Sequence, residues 1–68
     1  MENTAQKQRF MKIDEVSAVT TLSETQIYRK MKVGDFPESI SIGANSKVWL
    51  ESEIQQWMNS KIEQHRNQ

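Results

Sequence analysis

Residues 23–37 read SETQIYRKMKVGDFP, and the start and stop signals in this one stretch decide the fold. Ser23 followed three residues later by Gln26 fits a capping box, so a helix begins at Glu24. At about 100° per residue Ile27 and Met31 share one edge of that helix. Gly34 supplies a left-handed stop, and Pro37 blocks any continuation. The expected helix is Glu24 to Val33. Opposite its apolar edge, Thr25, Tyr28, Arg29 and Lys32 recur at i, i+3, i+4 and i+7, which makes one continuous stripe. Gln26 and Lys30 flank it.

Working outward, FMKIDEVSAV at 10–19 spaces Ile13, Val16 and Val19 by threes. The spacing predicts a short helix from Phe10 to Val19, with Asp14 and Glu15 in its first turn favoured by the helix dipole. Thr20 and Thr21 break it. Downstream, SISIGANSKVWL at 39–50 alternates Ile40 and Ile42 with serines. Turn residues follow at 43–46, and Lys47 to Leu50 is rich in β-formers, which together predict a hairpin. Ser52 and Gln55 form a second capping box, opening a helix from Glu53 to about His65 with an apolar stripe of Ile54, Trp57, Met58 and Ile62. The order is helix, helix, two-stranded hairpin, helix. The expected fold class is α+β and mostly helical, a small winged helix-turn-helix. Its expected core is Leu22, Ile27, Met31, Phe36, Ile40, Ile42, Trp49, Leu50, Ile54, Trp57 and Met58. Residues 1–9 are polar without apolar period and read as a flexible tail. Residues 10–66 form the expected domain.

Bulk composition narrows the function. A chain of 68 residues makes one small domain near the lower limit for folding unaided. It has no Cys, which removes disulfide frameworks and thiolate metal sites. No apolar run approaches the roughly 20 residues that span a bilayer, and MENTAQKQRF at the start lacks the apolar core of a signal peptide. A cytoplasmic protein is expected. The formal net charge is zero, which counts mildly against a nonspecific polyanion binder. The charge is unevenly spread: residues 1–34 hold six basic against four acidic side chains, and residues 35–68 hold three against five.

Any amphipathic helix shows a charged outer edge to water. Here the preceding short helix, the tight turn and the following hairpin favour a nucleic-acid reading over simple solvation. Arg can clamp a phosphate or pair bidentately with guanine, Gln can pair with adenine, and Thr, Tyr and Lys suit phosphate oxygens. The candidate DNA-binding residues are Thr25, Gln26, Tyr28, Arg29 and Lys32. The hairpin tip, Asn45, Ser46 and Lys47, reads equally as a wing or as an ordinary turn. Tyr28 lies at the border of the buried and outward edges. Trp49 and Trp57 read as core, since a domain this small needs large apolar side chains, and His65 as a polar cap on the last turn. No spacing suggests a catalytic triad, a phosphate loop or a metal site. We expect no enzyme activity and no cofactor.

LSETQIYRKMKVGDFPESISIG at 22–43 and VWLESEIQQWM at 48–58 together resemble the AlpA family of small phage and prophage regulators. That family is similar in turn to excisionases and to the DNA-binding domain of MerR-type regulators. The residues that carry the likeness are Leu22, Ser23, Ile27, Tyr28, Arg29, Gly34, Phe36, Pro37, Gly43, Trp49, Glu53, Ile54 and Trp57. The resemblance implies a winged helix whose second helix enters the major groove of double-stranded DNA. It also implies a regulator of promoters or attachment sites of an integrated element. One copy with a near-neutral charge is expected to bind weakly, so self-association on DNA is a further expectation, as is a recombinase partner. Two alternatives stay open: a module that binds a response regulator or recombinase, and an excisionase acting as an architectural recombination directionality factor. This chain departs from the family pattern in three places. Thr21 stands in the first inter-helix turn where Gly is frequent, and Asn45 and Val48 stand where the wing is commonly basic.

Overall fold

Residues 8–67 are described by a computed structural model. They form β1 (Phe10–Met11), α1 (Ile13–Thr20), α2 (Glu24–Lys32), β2 (Ile40–Gly43), β3 (Ser46–Leu50) and α3 (Glu51–Arg66). The fold is α+β: three helices and an antiparallel sheet of strand order β1-β3-β2, consistent with a small winged-helix-like domain. Most of the expected 1–9 tail lies outside the described residues. Arg9, at its end, reaches Glu51 at 3.1 Å and Glu15 at 3.8 Å.

The start of the first helix is a correction. Phe10 and Met11 are extended and pair with Leu50 and Trp49, and Lys12 is the N-cap, at φ −82° and ψ 168°. Two residues are too few to show a period of two, so the apolar spacing of the helix that follows absorbed them. Asp14 and Glu15 do occupy the first turn.

The link from α1 to α2 is short and held by side chains. Thr21 adopts φ 65°, the left-handed region, and its N–H returns to the Ser17 carbonyl at 2.8 Å. That is the αL helix stop. Ser17 Oγ donates to the Leu22 carbonyl at 2.6 Å and Thr20 Oγ1 to the Val16 carbonyl at 2.7 Å. The capping box at Ser23 forms as the sequence predicts. Gln26 N–H donates to Ser23 Oγ at 3.1 Å, and Ser23 N–H donates to Gln26 Oε1 at 3.0 Å.

The second capping box does not form. α3 starts at Glu51, directly from β3, with Leu50 as N-cap and no side-chain cap. Its first N–H donates instead to the Arg9 carbonyl at 2.8 Å, so the chain entering β1 caps the helix that leaves β3. Ser52 and Gln55 are left exposed.

The core gathers Met11, Val16, Ile27, Phe36, Trp49 and Ile54, with Ile13, Leu22, Met31, Trp57 and Met58 packed against it. Ile40 and Ile42 were expected inside but are 36% and 53% exposed, and Leu50 is half-buried. Register assigns Ile40 to the other face, and a register shift between Ser41 and Gly43 takes Ile42 out of the paired positions. Residues directly opposite share a face and alternate along a strand. Met11 and Trp49 therefore lie on the core side, while Phe10, Leu50, Val48 and Ile40 lie on the far side.

Candidate nucleic-acid interface

The α2 helix is anchored along one edge and free along the other. Ile27 is fully buried and Met31 half-buried. Thr25, Gln26, Arg29 and Lys32 are exposed. Tyr28, 44% exposed, leans back toward β3, its ring centroid 6.2 Å from that of Trp49 at an interplanar angle of 56°. This contact sets α2 on the core side of the sheet and gives Tyr28 a structural task as well as an exposed hydroxyl edge.

The five α2 candidates divide once their contacts are known. Among the described residues, Arg29 and Lys32 have no carboxylate within ion-pair distance. Together with Thr25 they form the accessible stripe. Gln26 is partly committed, because its Oε1 accepts from Ser23. Lys30, on the flank, is taken up by Asp35 at 3.5 Å. Asn45, Ser46 and Lys47 are all exposed at the hairpin tip. Among the described residues no hydrogen bond or ion pair joins that tip to α2, so the structure brings Thr25, Arg29 and Lys32 together and leaves the tip as a separate exposed element.

Sequence reasoning placed the left-handed stop at Gly34 but missed what fastens the loop after it. Gly34 stands at φ 79°. Its N–H donates to the Met31 carbonyl at 3.1 Å, and Asp35 N–H donates to the Lys30 carbonyl at 2.8 Å. This pair of bonds is the Schellman stop. The next three residues are then fastened to the rest of the molecule. Trp57 Nε1 donates to the Asp35 carbonyl at 2.8 Å, and Trp49 Nε1 donates to the Pro37 carbonyl at 3.0 Å. Phe36 packs edge-on against Trp57 at 4.8 Å between centroids. The Asp35 carboxylate receives Lys61 at 3.0 Å and Lys30 at 3.5 Å, and Lys61 Nζ also sits 5.5 Å from the Trp57 ring centroid, within cation–π range. Its hydrogen bond with Lys61, reinforced by Lys30, holds the Asp35 carboxyl below its ordinary range despite some desolvation. The sequence signal was present as two Trp spaced after Gly-x-Phe-Pro. Which carbonyl each indole takes is a tertiary fact.

The architecture is thus that of a small winged-helix-like domain, with one helix edge left free beside a tethered loop. The family model described as "Prophage CP4-57 regulatory protein (AlpA)" matches residues 9–62, and the chain belongs to that family. It is also 36% identical over 56 residues to the uncharacterized protein ORF88 of Enterobacteria phage P4, an alignment covering 82% of this chain and 64% of that relative. The chain therefore spans less than two thirds of that relative's length. No solved structure matches significantly.

Proposed function

We propose that this phage-family regulatory protein is a sequence-specific DNA-binding transcriptional regulator of a prophage or integrated element, acting in the cytoplasm and not as an enzyme. In this reading residues 10–66 form the DNA-binding domain, α2 enters the major groove and the β2–β3 hairpin serves as the wing. One observation carries it: among the described residues Arg29 and Lys32 have no carboxylate partner, and they stand beside exposed Thr25 on a helix whose opposite edge is fully buried at Ile27. Long cations left free about one turn apart on a helix are the kind of side chain that reaches phosphates and base edges when a helix lies in the major groove. Thr25 and Arg29 lie toward the groove, Tyr28 and Lys32 toward the backbone, and the free amide nitrogen of Gln26 toward the helix start. At the wing, Lys47 supplies the cation, with Asn45 and Ser46 as neutral donors.

The test is fluorescence anisotropy with a labelled duplex from around the encoding locus and a scrambled duplex of equal length, at two salt concentrations. The reading expects selective binding to the first duplex that weakens steeply with salt, because phosphate neutralisation releases counterions. A folded protein that binds neither duplex, or binds both equally, contradicts it.

A further inference from the structure

The apolar stripe of α3 runs on past the core. Ile54 is buried and Met58 half-buried, but Ile62, one turn further, is 47% exposed. Along one flank of the helix Glu51, Gln55, Met58, Ile62 and Arg66 follow at i, i+4, i+7, i+11 and i+15, a sector of about 80° at 100° per residue. Val19 of α1, 48% exposed, lies beside this flank. With Met11, Ile54 and Met58 it lines a small cavity whose wall Glu51 and Gln55 complete. Ile62 follows Met58 at i+4, so the two are neighbours on the helix surface. Val19, Met58 and Ile62 thus make an apolar patch left open to solvent among the described residues, and such a patch with a polar rim marks an interaction site.

Charge identifies the occupant, because the two ends of the flank differ in sign. At the first end Glu51 and Glu15 share the single guanidinium of Arg9, at 3.1 and 3.8 Å. Lys12 and Asp14, both exposed at the start of α1, offset one another, and Glu53 adds an exposed carboxylate in the first turn of α3. This end is negative. At the other end Arg66 and His65 occupy the last turn, and Arg66 has no carboxylate partner among the described residues. Lys61 is held by Asp35 at 3.0 Å, and Glu63 stands about 60° beyond Arg66 around the helix, off the flank. The flank therefore complements its own reverse. Turned about a two-fold axis between Met58 and Asn59, Glu51 meets Arg66 of a second copy. Gln55 meets Ile62 of that copy, which then lies over Val19 and the small cavity. A parallel pairing would instead set Glu51 against Glu51 and Arg66 against Arg66. A formal net charge of zero leaves no long-range repulsion between copies. We propose that the α3 flank from Glu51 to Arg66, with Val19 of α1, is a homodimer interface in which two copies pack their α3 helices antiparallel. One helix edge and a single α1 residue fall short of the roughly 1,200–2,000 Å² of a stable interface, so the dimer is weak, with a Kd on the order of 100 μM. On the DNA reading, a two-fold dimer carries two α2 edges and binds inverted half-sites.

The test is sedimentation equilibrium of the full chain across concentrations that bracket this affinity. It is expected to show monomer and dimer and nothing larger, because a two-fold contact closes on itself. Ile62→Glu should weaken the dimer by more than about tenfold, since the symmetry places two such residues in one contact. Arg66→Glu should also weaken it, and that loss should shrink in high salt. Arg29→Ala should leave it unchanged. Ile62 and Arg66 are exposed, so both variants should keep the parent thermal transition, and Ile62→Ser takes the place of Ile62→Glu if that variant unfolds. Orientation is read by cross-linking, since the chain has no Cys of its own. Asn59→Cys, beside the axis, should couple to its counterpart through a short bis-maleimide faster than Arg66→Cys, which the antiparallel pairing holds about 22 Å from its own counterpart along the helix axis. A chain that stays monomeric up to millimolar concentration, self-association indifferent to Ile62→Glu, open-ended oligomers, or coupling of Arg66→Cys at least as fast as that of Asn59→Cys overturns the inference. None of these measurements includes DNA, so their failure is distinct from failure of the DNA reading.

Discussion

Thr21 carries a backbone conformation that suits it poorly. A β-branched residue at φ 65° crowds its own Cβ, at a cost of about 1–2 kcal/mol. Glycine relieves that strain but gains chain entropy in the unfolded state, which returns part of the benefit. Thr21→Gly is expected to stabilise the domain by about 0.5–1 kcal/mol, visible as a raised Tm; an unchanged or lowered Tm would mean that the Thr21 hydroxyl, which donates to the Thr20 carbonyl, outweighs the strain. The tryptophans work in the opposite sense. Trp57→Phe keeps most of the ring that meets Phe36 but strands the Asp35 carbonyl, and should cost about 1–3 kcal/mol in denaturant unfolding. Asp35 itself predicts an acid response. Its carboxyl is held below its ordinary range by Lys61 and then Lys30. The folded state thus prefers the charged form, and the stabilisation is present above the unfolded value and lost as pH falls below about 4. Asp35→Asn should flatten stability between about pH 5 and 2, followed by thermal melts across that range. A melt series in which the variant loses stability with acid as steeply as the parent would remove Asp35 from the acid response.

At the scale of elements, α2 was legible because its signals are local. The Ser23–Gln26 box, the Ile27 edge and the Gly34 stop each depend on neighbours within a turn or two, and each forms as read. Ser23→Ala should therefore cost about 1 kcal/mol of stability, measured in urea. The same local logic failed for α3, where Ser52 and Gln55 had the right spacing but the Arg9 carbonyl, distant in sequence, supplied the cap. It failed again for β1, which exists only because β3 offers it a ladder. The hairpin shows a third limit: period two groups Ile40 with Ile42 without saying which face they take, and the ladder settles that for Ile40 alone, since the shift between Ser41 and Gly43 is not legible in the sequence. For the candidate site, exposure of Thr25, Arg29 and Lys32 followed from the helix period. The diversion of Lys30 to Asp35 and the engagement of Gln26 in its own cap required side-chain geometry. On the proposed reading Arg29→Ala costs about 1–3 kcal/mol of specific binding, and Lys32→Ala weakens all duplexes alike and lowers the salt slope by about 1. A folded Arg29→Ala protein with unchanged affinity for the preferred duplex would take Arg29 out of the interface.

For the whole molecule, the decisive arrangement is one sheet with two unlike sides. On one side Trp49 and Met11 close the core and Tyr28 holds α2 in place. On the other, Phe10 and Ile40 are left exposed around buried Val48. The loop from Asp35 to Pro37, tied by both indoles and by Lys61, fixes the end of α2 with respect to α3 and the sheet, so on the proposed reading α2 meets a groove without first being ordered. On the proposed reading the formal charge of zero is no obstacle, because among the described residues Arg29 and Lys32 have no carboxylate partner. The most direct test of this account is amide NMR of the labelled protein titrated with its preferred duplex. The account predicts the largest shifts at Thr25, Arg29 and Lys32, smaller ones at Asn45 to Lys47, and none at Phe10 or Glu53. Largest shifts on the outer sheet face or along α3, with α2 unmoved, would contradict it.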